Sequence, residues 1–134
     1  MRVKQRDGKP FAVLFRDIEN IRRYVSLNEA EEESLLSWRR PIVLLKQLRA
    51  LAPSVNPGME ILGCMLPYMP IHSDWFEQLD TPALVMTSGN ISECPIAITP
   101  EEAEKQLAGK VPLLLHHNRE IHNRVDDSVL QICG

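Results

Sequence analysis

Short apolar runs set the limits on what this chain can fold into. Residues 11–15, 42–45, 61–66, 83–86 and 111–115 are each apolar or nearly so, and turn-forming or charged residues bound them. Runs of this length read as strands covered on both faces of a sheet. A last strand is expected over 128–132. Between the runs the spacing turns helical. Asp17 is a good cap before Ile18, Ile21, Arg22 and Val25. A second helix is expected from Asn28 to about Trp38, its early glutamates favoured by the helix dipole. A third is expected over 71–79, with Trp75, Phe76 and Leu79 inward. Thr99-Pro100-Glu101-Glu102 begins a fourth, which runs to about Ala108 and closes on Gly109. Strands alternating with helices make the chain α/β.

With 134 residues, 44% hydrophobic and 25% charged, the chain has the composition of one globular domain or part of one. No apolar run approaches a membrane span and no charged-then-apolar leader is present. A cytoplasmic protein with no membrane partner is therefore expected. The three cysteines, Cys64, Cys94 and Cys133, contain no C-x-x-C pair and indicate neither a disulfide framework nor a zinc site. His116, His117, His122 and Asp126 fit no metal-ligand spacing, so no metal site is assigned.

The net charge of −3 is unevenly distributed: residues 1–50 hold eleven Lys/Arg against seven Asp/Glu, the remainder four against eleven. Arg2, Lys4 and Arg6 alternate with Val3 and Gln5. In an extended segment they share one face, an arrangement suited to oxygen anions. The acidity of the second half argues against a dedicated nucleic-acid binder. A second anion-binding feature is the turn Thr87-Ser88-Gly89-Asn90 after the run 83–86. It offers two hydroxyls, an amide and backbone N–H groups, with no acid to repel phosphate. The same residues also suit an ordinary polar turn.

The ordered motifs resemble a known family. They are Lys4-x-Arg6 with Lys9-Pro10-Phe11-Ala12, then Arg40-Pro41-Ile42-Val43-Leu44-Leu45, then Leu62-Gly63-x-Met65-Leu66-Pro67-Tyr68 with Pro70-x-His72. Leu84-Val85-Met86-Thr87-Ser88-Gly89-Asn90-x-Ser92 follows, and His117-Asn118-Arg119-x-Ile121 with Arg124-x-Asp126-Asp127-Ser128-Val129 closes the set. The chain resembles the YrdC-like domain, in the branch found in the HypF family of hydrogenase-maturation carbamoyltransferases. The resemblance implies a YrdC-like (DHBP synthase-like) twisted mixed sheet with flanking helices and a broad, positively charged cavity. It implies a nucleotide-binding portion of an enzyme that forms carbamoyl-adenylate from ATP and carbamate, the carbamate coming from carbamoyl phosphate. The carbamoyl group then passes to an acceptor maturation protein for the cyanide ligand of a [NiFe]-hydrogenase.

On that reading Lys4 and Arg6 are catalytic and hold phosphate or carbamate oxygens. Ser88 and Asn90 hydrogen-bond phosphate, and Arg124 is a further nucleotide contact. Thr87, His72 and Arg119 rank after them, and magnesium is carried mainly by the ATP. Tyr68 and His72 also suit packing and capping. A threonylcarbamoyl-adenylate synthase that modifies tRNA and a non-catalytic module binding double-stranded RNA are the alternatives. The family pattern continues beyond both ends of this sequence. The resemblance therefore implies a single partial domain over 1–134, incomplete at the N-terminus and of little or no activity alone. Its uncovered sheet edge is expected to support self-association.

Overall fold

The computed structural model describes residues 11–52, 55, 58–91, 94–125 and 127–133. Five strands form one mixed sheet: β1 (Ala12–Phe15), β2 (Ile42–Lys46), β3 (Ile61–Met65), β4 (Ala83–Met86) and β5 (Val129–Leu130), in the order β4-β1-β3-β2-β5. β1 and β3 are parallel, as are β2 and β5, whereas β4 on β1 and β2 on β3 are antiparallel. The helices are α1 (Ile18–Arg22), α2 (Glu29–Leu36), α3 (Pro70–Gln78) and α4 (Pro100–Leu107). The mixed α/β sheet expected from the motifs is therefore present. None of the described helices is long and apolar enough to cross a membrane.

Alternation along the strands sorts the core into two layers. Val13, Phe15, Val43, Leu45, Leu62 and Cys64 pack with Ile21 of α1 and Leu35 of α2. Leu14, Ile42 and Met65 pack with Phe76 of α3, and Ala12, Leu84 and Met86 close the edge of that layer. The central strands are covered on both faces, which is why their sequences carry no polar alternation. Gly63 in β3 keeps two strands close, since a Cβ there would come within 3.1 Å of Ile42 Cγ2.

The helix ends follow the chemistry of their caps. Asp17 accepts from the Asn20 N–H at 2.8 Å. Asn28 and Glu31 form a reciprocal capping box, each side chain 2.9 Å from the other's backbone N–H. Asn28→Ala is expected to cost about 1 kcal/mol, read from the urea midpoint. Gly109, at φ +73°, takes the left-handed position that ends α4.

Four expectations need correction. Residues 111–115 form no strand: Pro112 has no N–H to donate, and the Val111 N–H goes to the Leu107 carbonyl in the turn after α4. Leu113 is consequently 79% exposed. β4 is not covered on both faces; it is the outer strand beside β1 among the described residues, and its Val85 is 51% exposed. Leu79 does not point inward but caps α3 and is exposed. The last strand is confined to Val129 and Leu130, at an edge where both are exposed.

Cα packing divides the described residues into two compact units. One holds residues 11–87 and 127–133, with the sheet and α1–α3; the other holds residues 88–125, with α4. In the second unit no described residue is fully buried. Among its described residues, hydrogen bonds and partial packing are the contacts that hold it together.

Candidate functional site

Lys4 and Arg6 lie outside the described residues, as do Ser92 and Asp126. Among the described candidates, Thr87 is exposed where the first unit ends, and Ser88, Asn90, Arg119 and Arg124 belong to the second.

The polar turn is closed by its own side chains. The Ser88 hydroxyl donates to Asn90 Oδ1 at 2.7 Å, and the Asn90 backbone N–H donates to the Ser88 carbonyl at 2.9 Å. The Asn90 amide NH₂ donates to the Cys94 carbonyl. Asn90 thus orients Ser88 as well as offering its own polar atoms. A phosphate oxygen accepting from the Ser88 hydroxyl would replace Asn90 Oδ1 as its partner.

Two further supports reach the turn from the same unit. Gln106 on α4 accepts from the Ile91 N–H at 3.3 Å and donates to the Pro95 carbonyl at 3.2 Å. The Ala97 N–H donates to the Gly89 carbonyl at 3.1 Å. The strip around Ala97 is itself pinned, because Arg124 Nε donates to the Ile96 carbonyl at 2.9 Å and Glu102 accepts from the Ile98 N–H at 3.0 Å. The Arg124 guanidinium also donates to both Glu102 carboxylate oxygens, at 3.1 and 3.2 Å. The Ile98 N–H, with the Arg124 charge adding to it, holds the Glu102 carboxyl below the usual range. In this geometry Arg124 is a clamp whose charge Glu102 balances.

His72 is fully buried on α3. Its Nδ1 faces the Tyr68 N–H at 3.4 Å, while its buried Nε2 has no hydrogen-bond partner among the described residues. The Tyr68 ring meets it edge-on at 4.5 Å and the Trp75 ring lies 5.2 Å away. Burial pushes its pKa down from the ordinary value, so the imidazole is neutral at physiological pH. These contacts are those of a packing and capping residue. Arg119 is exposed, and its N–H donates to His117 Nδ1 at 3.1 Å.

No group of three or more His, Cys, Asp or Glu among the described residues is arranged to hold a metal. A shallow depression of about 710 Å³ beside α2 is lined by Glu29, Glu32, Glu33, Leu36 and Ser37, and its carboxylates disfavour a polyphosphate. Sequence reasoning missed Gln106 and the Glu102–Arg124 pairing. An isolated glutamine in an amphipathic helix carries no signal, and the ion pair joins residues far apart in the chain.

The Sua5/YciO/YrdC family, described as telomere recombination, matches residues 1–134. Carbamoyltransferase HypF of Rhodobacter capsulatus is 39% identical over 129 residues, covering 96% of this chain and 17% of that protein. The probable carbamoyltransferase HypF of Methanocaldococcus jannaschii is 36% identical over 129 residues, covering 94% of this chain and 16% of its own length. A crystal structure of full-length HypF in the phosphate- and nucleotide-bound form superposes with a TM-score of 0.88 at 49% identity, covering 94% of this chain and 20% of that one. Sua5 of P. abyssi shares the fold, with a TM-score of 0.65 at 18% identity over 78% of this chain and 31% of its own. The chain therefore spans about a sixth of the length of the curated relatives it matches. On these grounds the chain belongs to the Sua5/YciO/YrdC family, and within that family its sequence is similar to the HypF carbamoyltransferases.

Proposed function

We propose that this chain is the nucleotide-binding part of a carbamoyltransferase that makes carbamoyl-adenylate from ATP and carbamate, the carbamate derived from carbamoyl phosphate. The product would serve hydrogenase cyanide-ligand synthesis by passing the carbamoyl group to an acceptor maturation protein. Adenylate formation asks a protein mainly to align two anions and to balance charge at phosphorus. The observation that carries the reading is the register Ala12↔Met86. The chain enters β1 and leaves β4 at one end of two adjacent antiparallel strands. In the sequence, the stretch bearing Lys4 and Arg6 precedes β1 and the Thr87–Asn90 turn follows β4. A cationic segment and a hydroxyl–amide turn would each supply donors to the oxygens of one polyphosphate. The turn holds no carboxylate, which suits an anion, and magnesium would arrive mainly with the ATP. A HypF relative solved with phosphate and nucleotide bound supports the choice of ligand.

The test is calorimetric titration with a non-hydrolysable ATP analogue and magnesium. Binding is expected, with affinity falling about tenfold in Ser88→Ala and in Lys4→Ala, as for loss of one hydrogen bond to a charged group. No binding heat, or affinity indifferent to both substitutions, refutes the nucleotide reading. Pyrophosphate release dependent on threonine and bicarbonate would transfer the assignment to threonylcarbamoyl-adenylate chemistry.

A further inference from the structure

We propose that Gln106 is a positioning residue for the Ser88–Asn90 turn, its side-chain amide bridging the Ile91 N–H and the Pro95 carbonyl so that the turn keeps an anion-binding shape. The inference rests on the nucleotide reading above and adds a residue to it.

Three observations support it. First, no described residue of the unit holding the turn is fully buried, so packing among the described residues does not by itself fix the loop. Second, Gln106 uses both ends of its amide, accepting at 3.3 Å and donating at 3.2 Å, on two backbone groups that flank the Asn90–Cys94 hydrogen bond. Third, its own placement is fixed. Thr99 accepts from the Glu102 N–H at 3.1 Å at the start of α4, and Glu102 is tied to Arg124 and to the Ile98 N–H. The helix therefore presents Gln106 from an anchored base. Backbone N–H groups that receive a phosphate must be set beforehand, since ordering them during binding costs affinity.

Gln106 is not expected to touch the nucleotide, so its test separates positioning from contact. Backbone amide exchange and ATP-analogue calorimetry are measured on the full chain for the wild type, Gln106→Leu and Gln106→Glu. Gln106→Leu removes both hydrogen bonds. It is expected to speed exchange of the Ile91 N–H at least tenfold and to weaken the analogue about fivefold to tenfold, while the amides of β1 and β3 exchange as before. Gln106→Glu keeps the acceptor for Ile91 and loses the donor for Pro95, so it is expected to fall between. Should Gln106→Leu not fold, the same comparison rests on Gln106→Glu, whose wild-type affinity and exchange would overturn the proposal. Wild-type affinity in a folded Gln106→Leu chain overturns this inference alone. A wild-type chain that takes up no analogue overturns the nucleotide reading and this inference with it.

Discussion

Phe15→Ala is expected to lower the unfolding free energy by about 3–5 kcal/mol, among the largest losses for a single core truncation. Phe15 ends β1, a central strand, and is fully buried in the layer beneath α1 and α2. Its ring lies 5.8 Å from that of Tyr24, tilted at 46°, and it shares its cluster with Ile21, Val25 and Leu35. Both helices on that face lean on it, so the loss combines removed apolar area with a cavity that strands fixed on both sides cannot collapse. Against a typical domain stability of roughly 5–15 kcal/mol this leaves a marginal fold. Leu113→Ala is the control: at 79% exposure it should change stability by less than about 0.5 kcal/mol. Urea midpoints followed by circular dichroism decide the matter. Equal shifts for the two substitutions would mean that the layer under α1 and α2 is not the core.

The sheet was legible because its central strands are apolar without alternation, and only a strand covered on both faces needs that. The apolar runs 42–45 and 61–66 mark strands on this ground alone, and the structure has β2 at Ile42–Lys46 and β3 at Ile61–Met65. The same rule misled at residues 111–115, where Pro112 removes a ladder donor and the preceding N–H closes a helix instead. It also overstated β4, since an apolar run does not reveal that its strand lies outermost. Helix starts were readable because Asp17, Asn28 and Thr99 act within a few residues of themselves. The supports of the turn were not, because Gln106, Glu102 and Arg124 act across the chain. Arg124 illustrates the difference: its charge was visible in the sequence, but the carboxylate that balances it lies on another element. His72 likewise reads as a possible ligand contact in sequence, while its burial among Tyr68 and Trp75 is a matter of tertiary packing.

Acidification should find His72 first. Burial holds its folded pKa below the ordinary 6.5, so the unfolded chain takes up a proton before the folded one does. Stability is therefore complete above that ordinary value and declines as pH falls from it toward the lowered folded value. The slope cannot exceed about 1.4 kcal/mol per pH unit for one proton. Among the described residues, none of the contacts of His72 offsets the new charge: its Nε2 has no hydrogen-bond partner there, its Nδ1 faces a backbone N–H, and its ring neighbours are Tyr68 and Trp75. Asp127 carries the nearby negative charge, and its influence falls on Tyr68, whose pKa is raised by burial first and by that carboxylate second. Glu102 does not confuse the result. Its depressed pKa contributes stability that is complete above 4.5 and lost only below it, in a separate window. Urea unfolding at a series of pH values between 7 and 5 should show a falling midpoint in the wild type. His72→Phe, which keeps the aromatic contacts and removes the titrating group, should flatten that decline. An equally steep decline in His72→Phe would place the sensitivity elsewhere and remove the argument that this imidazole is held neutral inside the fold.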